Sequence, residues 1–195
     1  MNRLMTIFIL CLTAMHVSAQ WTDAMYNRYT WRNYTDYAPF NQSVQDSDID
    51  ADLLEAAIFY ETNRQRVSHG LPELAFDHAL NVCAHNHAAD MVKHRFFSHT
   101  GPVPGKKTPA DRLTQVGYTN CYSAENIAYA AANATYAAVA RYVVEDLWMN
   151  SSGHRKNILS SRYTHLGCGV AFYYDNGVLM YKATQNFLLK DVGGF

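Results

Sequence analysis

The sequence predicts an α+β fold, with helices covering an antiparallel sheet. Two observations carry this. Apolar residues first recur at helical spacing, most clearly as Leu80, Cys83, Ala84, His87, Ala88 and Met91, at i, i+3, i+4, i+7, i+8 and i+11. The chain then closes with two runs rich in Val, Tyr, Phe and Thr, separated by Asp175-Asn176-Gly177, which is hairpin turn chemistry. Helices first and paired strands last is an α+β order.

The elements follow in chain order. Arg3 precedes the apolar run from Met5 to Leu12, and Val17-Ser18-Ala19 ends it with small residues, the plan of a secretory signal peptide over 1–19. The run is too short for a membrane span of about 20 residues, and no later segment qualifies, so no transmembrane segment is expected. Residues 20–48 show no clear period but hold Trp21, Tyr26, Tyr29, Trp31, Tyr34, Tyr37 and Phe40. They read as an extended N-terminal arm or linker that lays its rings on the domain, or as an aromatic surface for sugar or cell-wall binding. The domain proper is expected over 49–195.

Leu53, Leu54, Ala57 and Ile58 share one face of a helix over 49–69, which Gly70 and Pro72 stop. Asp77 is placed to cap the strongly amphipathic helix that follows and ends near His94. Residues 96–107 form a loop, broken by Gly101, Pro102, Pro104 and Gly105. Thr108-Pro109 opens a short helix, with Pro at its first position, and Gly117 ends it. Residues 121–128 read as a strand containing Glu125. A helix is expected over 135–148, with one more turn over 155–159. The hairpin strands fall at 166–174 and 178–187.

A formal net charge of −1 gives no field that favours nucleic acid. Removing the leader leaves Cys83, Cys121 and Cys168. In an exported chain nearby thiols tend to oxidise, and three allow at most one internal disulfide. Cys121 and Cys168 lie in strand-like stretches and are expected to pair, leaving Cys83 buried and free on a helix face. Spacing alone does not fix the pairing, nor does the sequence set the oligomeric state.

Of the nine His residues, most need no chemical role. His87 lies among apolar neighbours, as a hydrogen-bonded core histidine does, and His85 points away from that face. His99 sits on a loop just past a helix, and His154 lies between a helix and a tight turn. Loops held by rigid elements are where sites gather. Glu125 stands in a strand between apolar neighbours and needs a partner if buried. Two imidazoles and a carboxylate are ligands for a divalent transition metal, Zn2+ or another divalent cation, with one position left open. The same trio serves equally as a general acid or base, or as a polar brace for the core. No HExxH or CxxC pattern decides among these.

Several blocks in order carry a resemblance. They are Phe97-Ser98-His99; Arg112 with Gly117-Tyr118; Glu125-Asn126-Ile127-Ala128; Trp148 to Leu159, with Gly153-His154-Arg155 at its centre; Gly167-Cys168-Gly169-Val170; and Thr184-Gln185-Asn186-Phe187. Upstream stand Asn63, Arg66, Gly70-Leu71-Pro72 and His87-Ala88-Ala89-Asp90-Met91. Together they resemble the CAP superfamily of cysteine-rich secretory, antigen 5 and pathogenesis-related proteins, in its small bacterial, SCP-like form.

The resemblance implies an α-β-α sandwich around an antiparallel sheet. It also implies a cleft where two His and two acidic residues meet around a divalent metal. His99, Glu125 and His154 match three of those positions. The fourth, three residues after Trp148, is Ser151, which removes a charge; Glu145, one turn before Trp148, is the substitute to test. Three functions then stand: a secreted module binding a lipid, sterol or cell-wall component in the cleft; a secreted hydrolase or protease; and a structural cell-surface domain using its aromatic arm.

Overall fold

The structure, a computed structural model, describes residues 20–44 and 49–190. The leader expected over 1–19 lies outside them. Helix α1 (Ala51–Ser68) is capped by Asp50, whose carboxylate accepts the Leu53 N–H at 3.0 Å. Strand β1 (Ala75–Phe76) leads into α2 (His78–Lys93), and α3 (Pro109–Gln115) precedes β2 (Ser123–Ala131). Helix α4 (Tyr136–Arg141), α5 (Ser152–Ile158), β3 (His165–Asp175) and β4 (Val178–Leu188) complete the order.

Local chemistry explains most boundaries. Asp77 caps α2 through the Leu80 N–H, and Thr108 with Asp111 forms a reciprocal capping box at α3. Gly70 and Gly117 leave α1 and α3 at φ +76° and +94°. Asn176 and Gly177, both at positive φ, turn the β3–β4 hairpin. The helix expected over 135–148 is regular only to Arg141. Tyr142–Trp148 widens into π-helical turns, closed by a bond from Met149 N–H to the Val144 carbonyl. At the end of these turns Trp148 is fully buried, with Nε1 donating to the Ile127 carbonyl at 3.1 Å.

The sheet runs β1-β3-β4-β2, antiparallel except for the short parallel pair of β1 on β3. Strand period assigns its faces. Leu166, Cys168 and Val170 of β3 lie across from Phe187, Gln185 and Ala183 of β4, on the face that carries the main core with α1 and α4. Gly167, Gly169 and Ala171 lie across from Asn186, Thr184 and Lys182, on the face covered by α2. Helices on both faces make the α-β-α sandwich expected above. The α2 backbone rests on the two glycines. A Cβ at Gly169 would stand 2.0 Å from backbone atoms of Ala84 and His85, and one at Gly167 would stand 2.1 Å from the Asn81 nitrogen.

The arm over residues 20–44 is folded into three short 3-10 turns rather than extended. Trp21, Tyr34 and Phe40 are buried in the main core. Val44 N–H bonds to the Ala134 carbonyl, and Asp50 N–H to the Tyr136 hydroxyl, so the segment is tied to α4 on both sides of 45–48.

The expected pairing of Cys121 with Cys168 is corrected. All three described cysteines are free. Cys168 lies in the main core, on the α1 side of the sheet, whereas Cys121 packs with Leu80, Cys83, Leu113 and Leu188 on the α2 side. The alternation of β3 decides this: the sheet itself stands between the two thiols.

Gly169→Val is expected to destabilise the fold by about 3 kcal/mol or more, since helix backbone rather than a flexible side chain must move. Chemical denaturation measures this, and a loss below about 1 kcal/mol would show that α2 is not seated on the glycines.

Candidate functional site

The α2-facing side of β2 carries Glu125, directly across from Asn186 of β4. The carboxylate side chain is 3% exposed. A buried charge of this kind requires partners, and three elements supply them. Arg112, from α3, donates through NH2 to Oε2 at 2.7 Å and to Oε1 at 2.9 Å. His99, from the loop after α2, places Nδ1 2.8 Å from Oε1. His87, from α2, holds Nε2 3.7 Å from the same oxygen. Burial alone would raise the Glu125 pKa; the His99 hydrogen bond and the Arg112 charge outweigh it, and the carboxyl is held below its ordinary value.

Arg112 also fixes the loop that carries His99. Its NH2 donates to the His99 carbonyl at 3.0 Å, and NH1 donates to the Lys106 and Lys107 carbonyls at 3.2 and 3.4 Å. The start of that loop is held by Lys182, whose ammonium donates to the Met91 and Phe96 carbonyls, each at 2.8 Å. The His99 ring is thus anchored at Nδ1 and at its backbone, while its side chain remains 48% exposed.

His154 enters from α5, beside the outer edge of β2. Asn126 donates to its carbonyl at 3.2 Å, and Asn157 of the same helix donates to Asn126 Oδ1 at 2.9 Å. Burial lowers the His154 pKa, and the charge of His99 lowers it further. Nδ1 of His154 is buried with no hydrogen-bond partner. Ser151 stands at the cap of α5; its backbone carbonyl accepts the Arg155 N–H at 2.8 Å, and its side chain makes no capping bond.

Glu145 is engaged elsewhere. Gln65 donates to it at 2.9 Å and Arg64 pairs with it, both from α1. It is therefore committed to α1 and is no substitute for an acid at Ser151. Among the described residues no three His, Cys, Asp or Glu side chains converge as a metal-ligand cluster.

Two members of the site were not singled out for chemistry by sequence reasoning. Arg112 is one; its sign was a lone basic residue inside a short capped helix. His87 is the other. It sits on the apolar face of α2 as expected, but that face looks onto Glu125 as well as onto the core. Burial pushes its pKa from 6.5 down to about 4.

Comparison with known proteins agrees with this architecture. The cysteine-rich secretory protein family, CAP, matches residues 59–187. The chain belongs to the CAP family. Two curated relatives from Bacillus subtilis strain 168 match, both uncharacterized. The membrane protein YlbC is 37% identical over 136 residues, covering 70% of this chain and 34% of the relative. YkwD is 34% identical over 129 residues, covering 66% and 44%. The CAP chain described here thus spans less than half the length of either. Among solved structures, an extracellular SCP-domain protein from Bacillus anthracis is 35% identical, with a TM-score of 0.57, over 72% of this chain and 41% of that one. An outer surface protein of Borrelia burgdorferi shares the fold at 17% identity and a TM-score of 0.51, over 71% of this chain and 93% of that one. No helix among the described residues is long and apolar enough to cross a membrane.

Two outcomes test the CAP site. By NMR, the His87 ring should titrate near 4 rather than 6.5. Its folded pKa lies below the unfolded value, so its contribution to stability is complete above 6.5 and is lost as pH falls toward about 4. Titration near 6.5 would place His87 in water. Separately, Arg112→Ala leaves Glu125 buried without its cation and should cost about 3–5 kcal/mol in denaturant unfolding.

Proposed function

We propose that this CAP domain is an extracytoplasmic binding module whose His99 and His154 hold a divalent cation, and through it an oxygen-bearing ligand. The observation that carries the reading is the way Glu125 engages His99. A carboxylate on Nδ1 fixes the ring and its tautomer and turns the other nitrogen outward as a basic donor, the arrangement found behind metal-binding histidines. His154 adds a second imidazole that burial keeps neutral, and its buried, unpartnered Nδ1 is a donor atom still without a use. Imidazole suits Zn2+ among the divalent cations. Glu125, already paired with Arg112, then acts behind His99 rather than on the ion.

Two protein ligands leave positions for a ligand's own oxygens, which suits capture of a cell-wall or lipid headgroup oxygen better than a closed structural site. When bound, the ion would supply positive charge for such an oxygen. The residues themselves orient the rings, keep them neutral and hold the loop in place. An extracytoplasmic location is supported by the leader-like stretch over 1–19 and by the extracellular SCP relative. Binding rather than hydrolysis is the reading adopted, because among the described residues neither Ser98 nor Ser151 is hydrogen-bonded to His99 or His154, as an activated serine nucleophile would be.

Zinc titration by calorimetry tests the reading. Wild type should bind at micromolar or tighter affinity, and the His99→Ala/His154→Ala double variant should not. Glu125→Gln should weaken binding by about 10–100-fold. Affinity should fall as pH drops toward about 5, because protons compete for the rings. Equal binding by wild type and the double variant, or none by either, would overturn the proposal.

A further inference from the structure

The arm and the core enclose a second feature, remote from Glu125. A groove of about 660 Å³ runs between the first 3-10 turn and the segment that joins α1 to β1. That volume lies within the range of small-ligand sites, about 300–1,000 Å³. Its rings are Tyr26, Tyr29, Phe59, Tyr60 and Phe76; its polar edge includes Asn27, Glu73 and Asp23. Tyr26 lies flat on Phe76, with centroids 3.7 Å apart and planes within 10°. Tyr29 packs on Trp21 at 5.8 Å, and Trp21 is itself locked against Phe40 and Tyr60. The rings are therefore rigid, and Tyr26, Tyr29 and Phe76 all remain partly exposed.

The chemistry of the lining narrows the ligand. It contains no Lys or Arg, and its one His, His78, is held by Asp23 at 2.6 Å. Anions such as phosphates or fatty-acid carboxylates meet two acids and no free cation. A purely apolar ligand would strip water from Asp23, Asn27 and Glu73 and repay nothing. What remains is a neutral molecule with flat apolar faces and a hydroxylated edge. Pyranose rings with equatorial substituents have that form: their C–H faces lie on aromatic rings, and their hydroxyls reach carboxylate and amide groups. Asn63 also lines the groove but is used up by Leu74, donating to its carbonyl at 3.0 Å and accepting its N–H at 2.8 Å. The exposed Asn27 and Glu73 side chains hydrogen-bond to no described residue and are the groups available to a sugar.

We infer that this groove is a second binding site, for a neutral β-linked oligosaccharide, independent of the His99/His154 site. Six of its fourteen lining residues, Tyr26, Asn27 and Tyr29 among them, lie before residue 59, where the family match begins. The groove is therefore completed by this chain's arm on the surface of the shared CAP core.

The test is calorimetry of the protein, with its arm, against a β-1,4-linked glucose tetramer and its N-acetylated counterpart, beside dodecanoate as an anionic apolar probe. One or both sugars should bind and dodecanoate should not. Tyr29→Ala should weaken binding about ten-fold, the value of one stacked ring. Glu73→Ala, at an exposed position outside the ring cluster, should weaken it several-fold with an unchanged melting temperature; it keeps the test decisive if Tyr29→Ala loosens the arm. His154→Ala should leave sugar binding intact, so failure here and failure of the metal reading are told apart. No binding of either sugar at millimolar concentration, binding unmoved by both arm-groove variants, loss with His154→Ala, or binding of dodecanoate instead would each overturn the inference.

Discussion

The seating of α2 on Gly167 and Gly169 is the contact on which the rest of the molecule depends. With no side chains at these positions, the helix backbone lies directly against β3. Its outward-reaching residues are then carried over the neighbouring strands, and His87 comes to stand 3.7 Å from Glu125 on β2. The same closeness seals the far edge of the sheet. Beyond β1, the free edge of β3 exposes backbone N–H groups; Asn81 of α2 accepts that of Cys168 at 3.2 Å, and Glu55 of α1 accepts that of Val170 at 2.9 Å. Glu55 is in turn held by His85 and Asn81, both from α2. One helix thus closes a core, an edge and the candidate site, and a methyl group at either glycine would disturb all three.

Around Glu125 the energetic logic is different. Burying a carboxylate and a guanidinium together gains little net stability, since their mutual attraction is offset by the loss of water from both. What the pair contributes is position. Arg112 spends its donors on Glu125 and on carbonyls of Lys106, Lys107 and His99, so one side chain fixes a strand, a helix and an irregular loop relative to each other. A loop rich in Gly and Pro would otherwise place His99 loosely. On the opposite face of the same strand, neighbouring Asn126 links Gln185 of β4 to Asn157 and His154 of α5. Adjacent residues of the edge strand β2 therefore anchor the His99 ring through Glu125 and the His154 backbone carbonyl through Asn126, which accounts for a buried acid followed directly by a buried amide.

Much of this was legible in the sequence because it follows from period and punctuation. Helix α2 reads plainly, since its apolar face is continuous; the hairpin reads plainly because Asp-Asn-Gly demands a turn. His99, Glu125 and His154 stood out as polar residues in rigid surroundings. Other features escaped because nothing local encodes them. Helix α1 is buried almost all round, including Glu55, Glu61 and Arg66, and those polar positions each find partners through contacts distant in sequence. Arg112 is one basic residue in a short helix until its loop partners are placed. The cysteine pairing failed on geometry: strand-like surroundings for two thiols say nothing about which face of the sheet each occupies. The π-helical turns before Trp148 have no sequence mark; they end where Trp148 meets the Ile127 carbonyl, a contact distant in sequence.

The order of strands separates the two regions for which binding is proposed. The His99/His154 site lies at β2, one edge of the sheet, and the aromatic groove lies at β1, the other. Three strand-to-strand steps of about 4.8 Å put roughly 14 Å of sheet between them. Shared side chains are therefore excluded, and contacts made at one site are not contacts of the other. Their origins differ as well. The first is built from residues inside the family match, on elements that the sandwich itself requires; the second borrows the outer surface of α1 and β1 and completes it with a segment that the match leaves out. A fold whose core is already satisfied by its own helices can accept such an arm at little cost, because Trp21, Tyr34 and Phe40 repay the ordering of the segment with buried aromatic area. The rings that anchor the arm thereby also stiffen the wall of the groove, and rigid walls lower the entropic cost of capturing a ligand.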